Sequence, residues 1–279
     1  MKGPIGIFDS GFGGLTVLKE IRKYLPEYDY MFLGDNARAP YGTRSFDMVY
    51  KFTLQAVKEL FKRGCPLVIL ACNTASAKAL RTIQQQDLPS MGDPTRRVLG
   101  VIRPTAEEIG KMSKSRNIGI FATPGTIASG SYDIEISHLH PGFVTTGHAC
   151  PMWVPLIENG ETKSEGADFF IKKEVDALLK KNPKIDTIIL GCTHYPIIED
   201  KIRKYVPSGI RLVSQGDIVA RSLSDYLKRH PEIECRLSRN TEGEGETTYL
   251  TTENPARFDN QATIFVGHPV KATQIVIGQ

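Results

Sequence analysis

The sequence of 279 residues predicts an α/β protein of two similar domains, each a mainly parallel sheet flanked by helices. Two observations support this prediction. Short apolar segments typical of buried strands alternate with amphipathic helical segments along most of the chain, as in parallel sheets covered by helices. Two of the strand segments also recur later in the chain at similar offsets, which indicates a duplicated unit.

The internal repeat is visible at two places. Residues 67–74 form an apolar run that ends in Cys-Asn-Thr, and residues 187–194 form a similar run that ends in Cys-Thr-His. The two cysteines, at 72 and 192, are 120 positions apart. The segment Ile-Gly-Ile-Phe at 5–8 recurs at 118–121, which is 113 positions later. We therefore expect two equivalent units related by an approximate two-fold axis.

Each predicted element follows from a local pattern of apolar and turn residues. The helix at 15–24 has apolar residues three or four positions apart, and the helix at 48–63 ends before Gly64, a residue typical of helix C-termini. In chain order, the prediction is strand 5–8, helix 15–24, strand 30–33, helix 48–63, strand 67–71, helix 76–86, helix 105–112, strand 118–121, a helix before residue 143, strand 143–146, helix 167–181, strand 187–191, helix 197–205, helix 218–229, strand 247–251 and strand 263–266.

The chain is expected to pass from the first unit to the second and back again. Residues 1–97 and 214–279 would form the first domain, which carries Cys72, and residues 98–213 would form the second, which carries Cys192. Ligands of parallel α/β sheets bind outside the carboxyl ends of the strands. The polar clusters of this sequence follow predicted strands, so the expected active site is the cleft between the domains.

Cys72 and Cys192 are candidate acid–base groups. A free cysteine is most often a small buried hydrophobe, and either residue taken alone fits that role. Each one lies at a strand-to-helix junction, where a helix N-terminus favours the thiolate, and each is followed by hydrogen-bond donors. Two like thiols on opposite walls of a cleft are what inversion of a carbon centre from either face requires.

Asp9 and His194 are neighbours that would tune these thiols. Asp9 precedes a glycine turn, so it is either a turn residue or a carboxylate that helps to manage the proton of Cys72. His194 is either a packed imidazole or a group that tunes Cys192, two positions earlier. Three cysteines lack such a context and are expected to be structural, namely Cys65, Cys150 and Cys235.

No cofactor and no metal is expected. The glycine-rich turn at 11–14 fails the dinucleotide fingerprint because the third glycine would fall at Thr16. Binding of a carboxylate by backbone N–H groups at the helix start is the better interpretation of this turn. His138, His140 and His148 match no spacing of a structural zinc site.

Composition and charge exclude several classes of protein. The net charge of +4 is mild, and basic residues alternate with acidic ones, so a nucleic-acid partner is not indicated. No apolar run approaches a membrane span, and residues 1–9 lack a signal-peptide core, so no membrane partner is expected. Five widely spaced cysteines, an odd number, favour reduced thiols and a cytoplasmic location.

Taken together, the motifs resemble those of the glutamate racemases, in the cofactor-independent Asp/Glu racemase family. They follow the family's order, and their joint occurrence is highly specific. The matching segments are Asp9-Ser-Gly-Phe-Gly-Gly14, Gly34-Asp35, Pro40-Tyr-Gly42, Ala71-Cys-Asn-Thr-Ala-Ser-Ala77, Ala122-Thr123 through Thr126, Ser129 and Tyr132, Cys150-Pro, Val154-Pro-Leu-Ile-Glu158 and Gly191-Cys-Thr-His-Tyr-Pro196.

The resemblance implies interconversion of L- and D-glutamate by two cysteines without a cofactor, which supplies D-glutamate for peptidoglycan. Cys72 would act on D-glutamate and Cys192 on L-glutamate, and Asp9, Glu158 and His194 would assist them. A homodimer is also expected. The residues that the resemblance implies for substrate binding are Asp9, Ser10, Tyr41, Gly42, Asn73, Thr74, Thr123, Thr126, Thr193 and His194.

The sequence departs from the family pattern at a few positions. Arg103 and Thr105 stand where the family usually has Glu and Gly, and Gln215-Gly-Asp217 replaces a more typical Asp-Ser stretch. Three alternative functions remain open at this point. They are a racemase of aspartate or a related amino acid, a cysteine hydrolase that uses one thiol and one histidine, and a non-catalytic module that binds glutamate.

Overall fold

The computed structural model describes residues 2–278, in which the strands form two sheets. The strands are β1 Ile5–Asp9, β2 Tyr30–Gly34, β3 Leu67–Leu70, β4 Arg97–Gly100, β5 Asn117–Ala122, β6 Val144–Ala149, β7 Thr187–Gly191, β8 Arg211–Val213, β9 Thr247–Thr251 and β10 Ala272–Gln274. The helices are α1 Gly14–Tyr24, α2 Phe46–Lys62, α3 Asn73–Lys78, α4 Leu80–Thr82, α5 Ile102–Ile109, α6 Pro124–Ala128, α7 Ser131–Leu139, α8 Trp153–Glu158, α9 Glu165–Lys181, α10 Glu199–Tyr205, α11 Gly216–Arg229, α12 Pro231–Glu234 and α13 Pro255–Val266.

Four adjacent strands of the first sheet have the same order as the four strands of the second sheet. The first sheet has the order β10-β9-β2-β1-β3-β4, the second has the order β6-β5-β7-β8, and all neighbouring strands are parallel. The segment β2-β1-β3-β4 therefore corresponds to β6-β5-β7-β8. The repeated sequence Ile-Gly-Ile-Phe lies in the central strands β1 and β5, and the two cysteine segments lie at β3 and β7. The predicted α/β class with two similar parallel sheets is confirmed, and the two-fold axis stays a prediction.

The predicted boundary between residues 97 and 98 falls inside β4. This strand pairs with β3 in the first sheet, in the register Val68↔Val98. The Pro- and Gly-containing segment before β4 is typical of a domain linker. The chain nevertheless adds β4 to the first sheet before it continues to the second sheet. We retain the two-domain division as a proposal, with the first crossing placed after β4. The second crossing, near residues 213 and 214, follows β8.

The strand predicted at 263–266 is also wrong, because these residues end the helix α13. Asn254 caps this helix by accepting hydrogen bonds from Ala256 and Arg257, and Pro255 occupies its first turn. The helix buries Phe258, Ala262 and Phe265 on one face. These spacings of four and three residues are helical, and they outweigh the β propensity of the local residues.

Helices cover the sheets with apolar faces that the spacing in the sequence dictates. In α1, the residues Leu15, Leu18 and Ile21 are at most 1 % exposed. The central strand β1 is buried along its whole length, as expected for a parallel sheet that is covered on both faces. Among residues 2–278, none of the helices has both the length and the apolar character needed to cross a bilayer.

Candidate active site

A small cavity at the carboxyl ends of both sheets brings the two cysteines together. Cys72 follows β3 and Cys192 follows β7, so each sheet contributes one thiol to the cavity, whose volume is about 90 Å³. Both residues are 6 % exposed. Nine other residues expected at the site also line this cavity, namely Ser10, Tyr41, Gly42, Asn73, Thr74, Thr123, Glu158, Thr193 and His194.

Two of the expected site residues, Asp9 and Thr126, lie behind this lining. Asp9 is 0 % exposed and Thr126 is 1 % exposed. Neither residue lines the cavity, and the substrate contact that the family resemblance implies for both stays a prediction. Both residues instead hold groups that do line the cavity.

Each cysteine loop contacts a residue at the carboxyl end of the central strand of the other sheet. Thr193, next to Cys192, donates a hydrogen bond from Oγ1 to Oδ1 of Asp9 at 3.3 Å. On the other side, Oγ1 of Thr74 lies 2.9 Å from Oγ1 of Thr123. Asp9 ends β1 and Thr123 directly follows β5, so both contacts join strand ends that belong to different sheets. These two hydrogen bonds connect the sheets on either side of the cavity.

The Cys72 thiol has a neutral hydrogen-bonding environment. Its Sγ lies 3.3 Å from Oγ of Ser10 and accepts a hydrogen bond from the backbone N–H of Ala75 at 3.5 Å, so Cys72 caps α3. Burial raises the pKa of Cys72 to about 12, and the nearby carboxyl of Asp9 adds to this effect against the two hydrogen bonds. Cys72 is therefore a thiol, and hence a proton donor, at neutral pH.

The Cys192 thiol has a different environment, formed by an imidazole and a carboxylate. Nδ1 of His194 lies 3.9 Å from Sγ of Cys192, and Nε2 lies 2.9 Å from Oε1 of Glu158. Burial opposes the charged imidazole, but the hydrogen bonds to Cys192 and Glu158 outweigh it and raise the pKa of His194 to about 10. A positive charge beside a thiol favours the thiolate.

The glycine turn after β1 binds a carboxylate, as the sequence suggested, but that carboxylate belongs to Asp9. The backbone N–H of Gly11 donates to Oδ2 of Asp9 at 2.9 Å, and Gly14 also contributes a backbone hydrogen bond. Burial raises the pKa of Asp9, although His194 and these hydrogen bonds act in the opposite direction. The turn thus fixes Asp9 close enough to Cys72 to affect its protonation.

Three threonine hydroxyls form a cluster beside Cys72. Oγ1 of Thr74 lies 2.9 Å from Thr123 and 3.3 Å from Thr126, and the last two are 3.0 Å apart. Hydroxyl groups rotate to suit their partners, so the cluster can turn donors toward a carboxylate. The Thr74 and Thr123 members line the cavity.

The loop that carries Tyr41 and Gly42 forms another wall. Tyr41 donates a hydrogen bond to the buried carboxylate of Asp35, which also binds Arg38. A Cβ atom at Gly42 would lie 2.8 Å from Cβ of Thr123, so only glycine allows this close approach. The loop therefore lies directly against the cluster of threonines.

Sequence patterns missed several residues at the site. Cys150, expected to be structural, lines the cavity together with Val154. Burial raises the pKa of Cys150 well above that of a free thiol, so its position does not make it a base. In the sequence, Gln215 stands out only as a departure from the family pattern, yet its side chain is hydrogen bonded to Asn73 at 2.7 Å. Its place one residue before α11 gives no local signal of that contact.

A larger groove lies elsewhere on the protein. It has a volume of about 820 Å³ and lies among α3, α4, α5, α7 and α11. Neither Cys72 nor Cys192 lines it. Chemistry therefore identifies the smaller cavity, which holds both thiols, as the candidate active site.

Comparison with known proteins identifies the family. The sequence profile of the Asp/Glu/hydantoin racemases matches residues 5–223. The glutamate racemase of Ruegeria pomeroyi is 43% identical over 272 residues, which is 94% of this chain and 96% of that protein. The glutamate racemase of Roseobacter denitrificans is 42% identical with the same coverage.

Solved structures lead to the same family. The glutamate racemase isoform RacE1 from Bacillus anthracis has a TM-score of 0.88 at 32% identity, with coverage of 98% of this chain and 97% of the other. The enzyme from Francisella tularensis, solved in complex with D-glutamate, has a TM-score of 0.84 at 31% identity, with coverage of 99% and 97%. On these grounds the chain belongs to the Asp/Glu/hydantoin racemase family, and the relatives that it matches over nearly their full length are glutamate racemases.

Proposed function

We propose that the protein interconverts L-glutamate and D-glutamate by transfer of the α-proton between two cysteines. The observation that carries the proposal is the position of Cys72 and Cys192, which come from equivalent strands of different sheets and line one cavity. The names of relatives that match nearly the whole chain support glutamate as the substrate. The product D-glutamate would supply peptidoglycan synthesis.

The reaction requires one base and one acid on opposite faces of the α-carbon. In the direction from L to D, the thiolate of Cys192 takes the α-proton, and the C–H electron pair stays on the α-carbon as a carbanion. The S–H group of Cys72 then gives its proton to the other face. Cys192 ends as a thiol and Cys72 as a thiolate, which is the state needed for the reverse direction.

The protonation states favoured at rest suit this cycle. Burial holds Cys72 as a thiol, with a pKa raised to about 12. His194, with a pKa raised to about 10 by Cys192 and Glu158 against burial, is a cation at neutral pH and lies beside Cys192. A cationic imidazole at this position would favour the thiolate that removes the α-proton of L-glutamate.

The carbanion needs electrostatic stabilisation because the α-proton of an amino acid is only weakly acidic. Fixed hydrogen-bond donors in a site that excludes water can supply much of this stabilisation. The hydroxyls of Thr74 and Thr123 and the amide of Asn73 line the cavity and are the donors available to a substrate carboxylate. We assign substrate binding to these groups together with Ser10 and Thr193.

One experiment tests the proposal directly. Purified protein is mixed with L-glutamate in heavy water without any added cofactor, and optical rotation and deuterium at the α-carbon are followed together. We expect rotation to decay to zero, with deuterium in newly formed D-glutamate while unreacted L-glutamate still carries hydrogen at early times. Binding without exchange would support a non-catalytic module, and loss of rotation with aspartate instead of glutamate would support the related racemase. Either result would refute the proposal.

Two further expectations stay predictions. Association into a homodimer follows from the family resemblance and from the frequency of two-fold dimers among soluble oligomers. Sedimentation of the purified protein tests it. A cytoplasmic location follows from the cysteine content alone.

A further inference from the structure

Three buried side chains form a closed ring of hydrogen bonds next to Cys72. Nδ2 of Asn73 donates to Oε1 of Gln215 at 2.7 Å, and Nε2 of Gln215 donates to the hydroxyl of Tyr132 at 2.8 Å. The Tyr132 hydroxyl donates in turn to Oδ1 of Asn73 at 2.7 Å. Each of these residues is at most 4 % exposed. Every bond in the ring runs in one direction, so each group acts once as a donor and once as an acceptor.

Two contacts outside the ring fix this direction. Nε2 of Gln215 also lies 3.2 Å from the carbonyl oxygen of Val101 and 2.9 Å from Oγ1 of Thr105. The Thr105 hydroxyl already donates to that carbonyl at 2.9 Å, so it can only accept from Gln215. Rotation of the glutamine amide by 180° would place Oε1 against these acceptors. The nitrogen therefore faces Val101, and the oxygen of Gln215 must face Asn73.

The ring connects the two halves of the site. Asn73 directly follows Cys72 at the end of β3, whereas Gln215 follows β8 and Tyr132 lies in α7. Asn73 lines the cavity, but Gln215 and Tyr132 do not. Any effect of Gln215 on the reaction must therefore act through Asn73.

We propose that Gln215 is a positioning residue that fixes the amide of Asn73 for the substrate, an inference that rests on the proposed function. An asparagine amide has two N–H donors and two lone pairs on its oxygen. The ring uses one N–H donor and one lone pair of Asn73, and it fixes Nδ2 toward Gln215 and Oδ1 toward Tyr132. One N–H and one lone pair remain for a bound amino acid. Without Gln215, the Asn73 amide would be free to turn over and present the wrong group.

The test compares kcat and KM of the full-length protein for both enantiomers. Gln215→Leu removes both polar atoms at similar volume, and Tyr132→Phe breaks the ring at another bond. We expect either variant to raise KM about tenfold, the effect of losing one well-placed hydrogen bond, with a smaller change in kcat. Thr53→Val is the matched control, because it removes an equally buried hydroxyl that donates to the Val49 carbonyl within α2 and takes no part in the ring.

A double variant separates positioning from general damage to the fold. Partial unfolding lowers the amount of active protein, and hence the apparent kcat, without changing KM. In the background of Asn73→Ala, Gln215→Leu should have no further effect on KM, since the residue through which it acts is gone. Additive effects would overturn the inference, as would a rise in KM in Thr53→Val equal to that in Gln215→Leu.

The outcomes also separate this inference from the proposed function. A wild-type protein that does not interconvert glutamate would refute the function itself. A wild type that does so, together with an unchanged KM in Gln215→Leu, would refute only the role of Gln215. If Gln215→Leu does not fold, the KM of Tyr132→Phe tests the inference instead. A KM equal to that of the wild type would overturn it.

Discussion

Nε2 of His194 lies 2.9 Å from Oε1 of Glu158, on the side of the imidazole that faces away from Cys192. This pair makes the two walls of the cavity chemically unequal although the strands that carry them are equivalent. Within residues 2–278, the side chain of Cys72 is hydrogen bonded to Ser10 and to a backbone amide, with no imidazole among its partners. The asymmetry therefore lies in the neighbours of the thiols.

The Glu158 carboxylate should determine the alkaline limit of the reaction. Burial lowers the pKa of His194, while the contacts with Cys192 and Glu158 raise it to about 10. The protonated form is thus present below this pH and is lost as pH rises through it. Glu158→Gln removes one stabilising charge, so kcat/KM should begin to fall about one pH unit earlier than in the wild type. A profile of kcat/KM against pH from 6 to about 11 measures the shift.

Glu161→Gln is the matched control for that prediction, because Glu161 lies three residues later and is exposed. Its pH profile should follow that of the wild type. Coincident profiles for Glu158→Gln and the wild type would show that the carboxylate does not hold the proton on His194. Because the enantiomers have equal free energies in water, both directions must give the same kcat/KM in every variant.

Variants that lack one cysteine should still exchange a proton on one face. Cys72→Ala and Cys192→Ala should each lower interconversion by about a thousandfold or more, since the missing acid or base has no substitute. In heavy water, Cys72→Ala should place deuterium in L-glutamate without inversion, and Cys192→Ala should do so in D-glutamate. Proton NMR combined with chiral chromatography measures both products.

Cys235→Ala provides the control for the cysteine variants, because this thiol is exposed and lies outside the cavity. It should interconvert the enantiomers as the wild type does. Exchange of both enantiomers by one single-cysteine variant would contradict the assignment of one thiol to each face. Ordinary turnover in either variant would contradict the two-thiol scheme as a whole.

The hydroxyl of Thr74 should contribute to substrate binding. It lies 2.9 Å from Thr123 and lines the cavity, so Thr74→Val removes a donor that can turn to a carboxylate. We expect KM to rise about tenfold and kcat to fall as well. Thr53→Val is a suitable control, because this hydroxyl is equally buried but donates to the Val49 carbonyl within α2. A KM unchanged by Thr74→Val would remove the threonine cluster from the binding site.

The sequence predicted the parts of the site that depend on the repeat. A buried strand ends before each cysteine, and parallel strands direct their carboxyl ends to one edge, so the repeated run predicted two thiols at equivalent positions. Glu158 carries no such signal, and only the family resemblance indicated it. Its contact with His194 joins positions 36 residues apart on different elements, which local patterns do not encode.

The parts that could not be predicted depend on long-range packing. Gln215 and Asn73 are 142 residues apart, and nothing in either segment indicates the other. Thr105 and Gln215, two positions at which the sequence departs from the family pattern it resembles, are hydrogen bonded at 2.9 Å. The departures that looked unrelated in the sequence thus form one buried contact. Only the folded arrangement shows this contact.

A methyl group at position 13 should disturb His194 directly. The Cβ atom of an alanine there would lie 2.2 Å from Oγ1 of Thr193 and 2.4 Å from Nδ1 of His194. Gly13→Ala must therefore displace these side chains, and overpacking of this kind costs about 1–3 kcal/mol of stability. We expect reduced unfolding free energy in urea and a fall in kcat/KM greater than the loss of folded protein explains. Gly209→Ala, with no atom within 4 Å of the added carbon, should leave the unfolding free energy and kcat/KM unchanged. Equal behaviour of the two variants would mean that His194 can leave its position beside Cys192 without consequence, and the imidazolium would then have no part in the proton transfer.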